Sequence, residues 1–253
     1  VNRYRIIPVL LNSTSGLVKT TRFKNPKYVG DPINAIKIFN EKEVDELIIL
    51  DIDSTKNKTE PNIDFIKKIA TECFMPLCYG GGITKLEQIE SILFNGVEKV
   101  SLNTSAYYNP KLIKEAANKF GNQSIVVSID VKKNWMNKPL VFTAKGTKNT
   151  RLNPVEYAKE MESNGAGELL INSIDKDGTY TGYDLELIEK ISQSVTIPII
   201  SCGGAKSITD FSQAINSGAS AVAAGSMFVF FGDLKSVLIN YPTTEELNYL
   251  YSK

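Results

Sequence analysis

The sequence predicts an α/β protein, a single (β/α)8 barrel built from two repeated half-barrels at about residues 1–122 and 123–253. Three observations predict it. Short β-branched apolar runs alternate with longer segments of helical period, the pattern of βα units on a parallel sheet. Eight such pairs fit into 253 residues, the usual size of one such barrel. Finally, Met75-Pro76-Leu77-Cys78-Tyr79-Gly80-Gly81-Gly82-Ile83 is written again as Ile197-Pro198-Ile199-Ile200-Ser201-Cys202-Gly203-Gly204-Ala205, with Pro76 and Pro198 separated by 122 positions, as are Gly81 and Gly203.

In chain order, the apolar runs place strands at 6–11, 46–51, 75–78, 99–102, 124–130, 168–172, 197–201 and 219–224. Helical period places helices at 33–40, 62–72, 86–94, 110–120, 153–164, 185–193 and 208–217. Pro110 after Asn109 and Pro154 after Asn153 read as helix starts with asparagine caps, and Gly96, Gly121, Gly165 and Gly218 as helix stops. Segments 12–32 and 132–151 follow the first and fifth strands; they are long, polar loops in equivalent places of the two halves, and loops of that length usually serve function.

Composition excludes several classes. Lys+Arg 29 against Asp+Glu 28 leaves a net charge of +1, no global field for nucleic acid or an anionic membrane. No apolar run approaches the roughly 20 residues of a membrane span, and Val1-Asn2-Arg3-Tyr4-Arg5 lacks the apolar core of a signal peptide, so the cytoplasm is expected. Cys73, Cys78 and Cys202 are odd in number and show no paired metal-ligand spacing; they read as reduced core thiols, with no metal or cofactor expected. Histidine is absent, so any acid–base chemistry falls to carboxylates, Lys, Tyr or Cys.

The glycines point to an anion. Where side chains are removed at a strand-to-helix turn, backbone N–H groups can face a phosphate. The repeat also aligns 45–51 with 167–173 and sets Asn103-Thr104 opposite Gly225-Ser226. Two cradles, after strands 3–4 and 7–8, then face each other at the C-terminal end of the barrel and suit an elongated ligand with a phosphate at each end.

Gly80-Gly81-Gly82-Ile83, Ser101-Leu102-Asn103-Thr104, Asp177-Gly178-Thr179 with Gly182-Tyr183-Asp184-Leu185-Glu186-Leu187, and Cys202-Gly203-Gly204-Ala205 together resemble the cyclase subunit of imidazole glycerol phosphate synthase, a TIM-barrel lyase of histidine biosynthesis. The resemblance covers essentially the whole chain. It implies a glutaminase partner on the bottom of the barrel, whose ammonia crosses the barrel to a bisphosphorylated substrate at the top. By position, one phosphate falls to Gly82, Asn103 and Thr104, the other to Gly178, Gly204, Gly225 and Ser226. The family's ammonia gate, a ring of two cations and two carboxylates, corresponds to Arg5, Glu46, Lys99 and Glu168. Lys19 matches a lysine of the first loop, and Asp51 and Asp177 match substrate-contacting positions.

The departures matter as much. Of the family's two catalytic aspartates, the fifth-strand copy is Asp130, but the first-strand position holds Leu11, which can neither accept nor donate a proton. Thr20 stands where a glycine is usual, and Thr143-Ala144-Lys145-Gly146-Thr147 lacks the family's glycine pair. The reading that follows is an amidotransferase subunit that keeps ammonia delivery and has lost ring closure, of a kind associated with sugar amidination in surface-glycan synthesis. The alternatives are the ordinary cyclase reaction, with Asp130 serving alone or with Lys19, and a non-catalytic scaffold that activates the glutaminase. The sister isomerase of the same pathway needs no ammonia gate.

Overall fold

The computed structural model describes residues 4–232 and 235–251, so Val1, Asn2 and Arg3 of the N-terminal reading lie outside the described residues. Eight strands form the barrel: β1 (Arg5–Ser13), β2 (Leu47–Asp51), β3 (Leu77–Gly80), β4 (Lys99–Leu102), β5 (Ile125–Lys133), β6 (Glu168–Ser173), β7 (Ile199–Cys202) and β8 (Ala221–Ala224). Each pairs in parallel with the next, from Val9 opposite Ile48 to Ile200 opposite Ala221. Arg5 opposite Ala221 then joins β8 to β1 and closes the sheet. A closed sheet has no edge to protect.

Period-two alternation divides the core. Ile7, Val9, Ile48, Val126, Leu170 and Ile200 face inward and form one buried cluster with Cys78, Cys202, Ala221 and Ala223. Their strand neighbours Ile6, Leu10, Leu47, Ile49 and Tyr79 face outward into the larger layer beneath the helices. The expected helices stand at Pro32–Glu41, Ile63–Glu72, Leu86–Phe94, Lys111–Phe120, Pro154–Ser163, Leu185–Ser192 and Ile208–Asn216.

Three expectations need correction. The third and seventh strands begin after Pro76 and Pro198, at Leu77 and Ile199, because proline offers no N–H to the ladder. Asn153 caps its helix, accepting from Val155 N at 2.8 Å, but the equivalent reading at Asn109 fails. There the helix starts at Lys111 after Pro110, and Asn109 instead ends a short helix, Thr104–Tyr108. The two long segments are not loops but β-ribbons. Gly16–Thr21 returns antiparallel along β1 and pairs with Lys24–Gly30, and Pro139–Thr143 returns along β5 and pairs with Lys148–Asn149.

Candidate functional site

Inward-facing positions on the barrel strands build the site from bottom to top. Arg5, Lys99 and Glu168 open β1, β4 and β6, and Glu46 immediately precedes β2. These starts bring all four side chains together. The Arg5 guanidinium donates to both Glu46 and Glu168, while Lys99 Nζ lies 3.0 Å from Glu46 Oε1 and 2.9 Å from Glu168 Oε2. Glu46 and Glu168 are buried, so each carboxylate would be costly alone. Burial pushes Lys99 toward losing its proton, but the two carboxylates outweigh it and hold its pKa above the ordinary value.

Above the ring the interior is lined mainly by the apolar inward cluster, with the buried Ser101 and Ser128 among it. Burial raises the thiols of Cys78 and Cys202, so both are protonated members of this lining and not nucleophiles.

The interior opens at the C-terminal end into a cavity of about 530 Å³. Asp130, near the end of β5, lies in its wall and is pushed up to about 7, chiefly by burial and then by the charge of Asp177, against a bond from Asn103. Asn103 Nδ2 gives that bond at 3.2 Å and a second to Ser128 O at 2.9 Å. Leu11 takes the opposite wall, because β1 and β5 stand four strands apart in a ring of eight; it packs with Leu50 on the apolar interior. The cavity thus has a polar wall and an apolar wall.

Lys19 reaches in from the Gly16–Thr21 ribbon, is buried, and donates to Val9 O. Burial lowers its pKa to about 8, with Asp177 opposing. Asp177 is itself raised by burial, and accepts from Thr20 Oγ1 at 3.2 Å. The Asp51 carboxylate is engaged locally, accepting from Asp53 N at 2.9 Å, Ser54 N at 3.0 Å and Ser54 Oγ at 2.7 Å, and so holds the turn at the cavity edge.

The two glycine cradles are placed differently. Gly82, Asn103 and Thr104 line the main cavity; Gly82, at φ +71, lies so close to Thr59 O that a Cβ would stand 2.9 Å from it. Gly225 and Ser226 touch the same cavity, but Gly178 and Gly204 line a neighbouring pocket of about 20 Å³. Sequence reasoning missed Lys58 and Lys145, which also line the main cavity, and Asn172, the register partner of Asp130. Lys145 lies in the fifth-strand segment already singled out for its length. What the sequence could not show is that it crosses to Asp53, at 3.5 Å.

A family model described as histidine biosynthesis protein matches residues 5–235. The chain belongs to that family. Among curated relatives, a Pseudomonas aeruginosa protein provisionally named imidazole glycerol phosphate synthase subunit hisF2 is 53% identical over 97% of this chain and 98% of its own. A Leptospira interrogans protein, provisionally named subunit HisF of the same synthase, is 48% identical over 98% of each. The imidazole glycerol phosphate synthase subunit HisF of Endomicrobium trichonymphae is 46% identical over 88% of this chain and 86% of its own. This member of the family is thus a HisF-like, cyclase-type subunit. Among its described residues no helix is long and apolar enough to cross a membrane.

Proposed function

We propose that the chain is the synthase subunit of a cytoplasmic glutamine amidotransferase, that it admits ammonia from a glutaminase through the Arg5–Glu46–Lys99–Glu168 ring, and that it no longer closes the imidazole ring. The observation that carries this reading is a continuous axis: a closed four-charge ring, a mainly apolar interior, and a cavity in which Asp130 faces a wall occupied by Leu11. Neutral ammonia can cross such an interior, whereas ammonium would leave its hydration shell at a cost of several kcal/mol. General acid–base ring closure needs a second group opposite Asp130, and a leucine cannot supply one. The two halves, about 1–122 and 123–253, form one duplicated unit, and the nitrogen it passes on serves sugar amidination in surface-glycan synthesis.

The glutaminase docks on the N-terminal face, around the mouth of the ring. Phe74, just before β3, and Phe94, at the end of the helix that leads into β4, support this placement. They are 84% and 90% exposed on that face, and large exposed aromatics are common anchors of protein interfaces.

A second reading, the ordinary cyclase reaction, is favoured by one observation: Asp130 near 7 and Lys19 near 8 both exchange protons close to neutrality in one cavity. The experiment that separates the two is ammonium-driven turnover of the bisphosphorylated imidazole precursor, N'-phosphoribulosyl-formimino-aminoimidazole-carboxamide ribonucleotide, by the wild type and Leu11→Asp. The leading reading expects an inactive wild type. Turnover on the order of 1 per second by the wild type would make the chain an ordinary cyclase.

A further inference from the structure

The two ribbons at the C-terminal end of the barrel share a charge pattern. Residues 13–30 and 131–152, which span them, hold ten lysines and arginines and not one aspartate or glutamate, in a chain of 29 cations against 28 carboxylates. Carboxylates of other elements meet the ribbons at their roots. Asp184 lies 3.2 Å from Lys133 Nζ and Asp53 3.5 Å from Lys145 Nζ, Asp175 accepts from Lys133 N at 2.8 Å, and Asp177 faces Lys19. Arg22, Lys24, Lys27, Lys138, Lys148 and Arg151 are exposed and, among the described residues, have no carboxylate partner.

The second ribbon presents more than charge. Its rungs run from Asp130 opposite Phe142 to Lys133 opposite Pro139, so its tip stands about 10 Å beyond Asp130. The turn there is firmly built. Asn134 N donates to Lys138 O at 2.9 Å, and the Asn134 side-chain oxygen accepts from Met136 N and Lys138 N, each at 2.9 Å. This turn holds Trp135 89% and Met136 59% exposed, and Tyr28 on the first ribbon is 58% exposed. Phe23 joins the two ribbons: its ring lies against Gly146, where a Cβ would stand 3.0 Å away, and Phe23 and Lys145 both line the cavity. The basic, aromatic rim is therefore continuous with the cavity mouth.

A funnel for small anions would account for the cations. It leaves Trp135 and Met136 unexplained, because neither lines the cavity. Large aromatic and methionine side chains held out among unpaired cations are the composition of an interface core whose other half is another protein.

We propose that the two ribbons dock a second enzyme, acidic where it meets them, which consumes the nitrogen that this chain delivers. The inference rests on the reading above, in which ammonia leaves the cavity unused by this chain. Ammonia released into neutral water takes a proton and ceases to be a nucleophile, so the mouth has to open onto another active site and not onto solvent. A lipid surface would close the mouth on hydrocarbon and offer no acceptor. Trp135 anchors the second enzyme, and the cations of both ribbons orient it.

The test places photoreactive p-benzoylphenylalanine at position 135 and, separately, at position 94 of the full chain, expressed in the cells that carry its gene. The expected result is that light joins position 135 to one protein which position 94 does not reach, through a segment rich in Asp and Glu. Once purified, that protein should use ammonium to form a carbon–nitrogen bond. Measured calorimetrically, its affinity for the chain should fall about ten-fold or more with Trp135→Ala and several-fold with Lys138→Glu or Lys24→Glu, and should weaken with salt. Tm should not move, because all three side chains are exposed. No adduct at position 135, an adduct with a protein that uses no ammonium, equal affinity for Trp135→Ala, or co-sedimentation of the wild type but not Trp135→Ala with phosphatidylglycerol vesicles would each overturn the proposal. The turnover experiment above uses the purified chain alone, so failure of that reading and failure of the docking surface are told apart.

Discussion

Replacing Glu168 by glutamine removes one of the two carboxylates that share Arg5 and Lys99 at the bottom of the barrel. Glu168 is 5% exposed and receives bonds from both cations, so the variant leaves two positive charges on Glu46 alone. Removing one partner of a buried pair costs about 3–5 kcal/mol, but the Arg5 and Lys99 side chains are 30% and 20% exposed, and water offsets part of that. About 2–3 kcal/mol remains, which for a chain of this size lowers Tm by roughly 5–10 °C. The decisive comparison is the double variant with Lys99→Met, which restores one cation to one carboxylate. Chemical and thermal unfolding followed by circular dichroism should show it at least as stable as Glu168→Gln. Additive losses would mean the four charges do not act as a unit, and a single-variant loss under about 0.5 kcal/mol would reduce the ring to an ordinary surface network. The pH dependence has a definite sign. Because Lys99 is held above 10.5, its contribution is complete at neutral pH and is lost only as pH rises through that raised value.

Asp130 has a linkage of the same sign in a lower window: its folded pKa near 7 lies above the ordinary 3.8, so the native state binds the proton more tightly and wild-type stability falls as pH rises between those values. Asp130→Asn should therefore gain stability at pH 8, by up to about 4 kcal/mol, and change little at pH 4, as read from unfolding curves at each pH. Asn153→Ala should cost about 1 kcal/mol through loss of its helix cap, whereas Asn109→Ala, which removes no cap, should stay within about 0.5 kcal/mol. Phe94→Asp should leave Tm unchanged because the ring is 90% exposed, and should weaken glutaminase binding, measured calorimetrically, by roughly ten-fold or more.

The barrel itself was legible in the chain because its signals are local. Alternation within each apolar run decides which side chains face the axis, and the same parity that buries Ile7, Val9 and Ile48 also sends Arg5, Glu46 and Leu11 to the interior. The repeat of 122 positions located both glycine turns, and the helices fell within a residue or two of their expected bounds. That residue 11 is a leucine, with no proton to exchange, is a fact of sequence alone.

What only the tertiary structure decided depends on contacts between residues far apart in the chain. Whether Arg5, Glu46, Lys99 and Glu168 meet is settled by closure of β8 onto β1, which brings residues up to 163 positions apart into one ring. The segments after β1 and β5 looked like polar loops because their pairing energy comes from the strand edges they fold back upon, and such edges do not appear in local composition. Two cradles nearly equal in sequence became unequal when the first ribbon seated Lys19 over Gly225 while the second brought Lys145 to an open mouth. Sequence placed the glycines; the packing of the ribbons determined which of them line the main cavity.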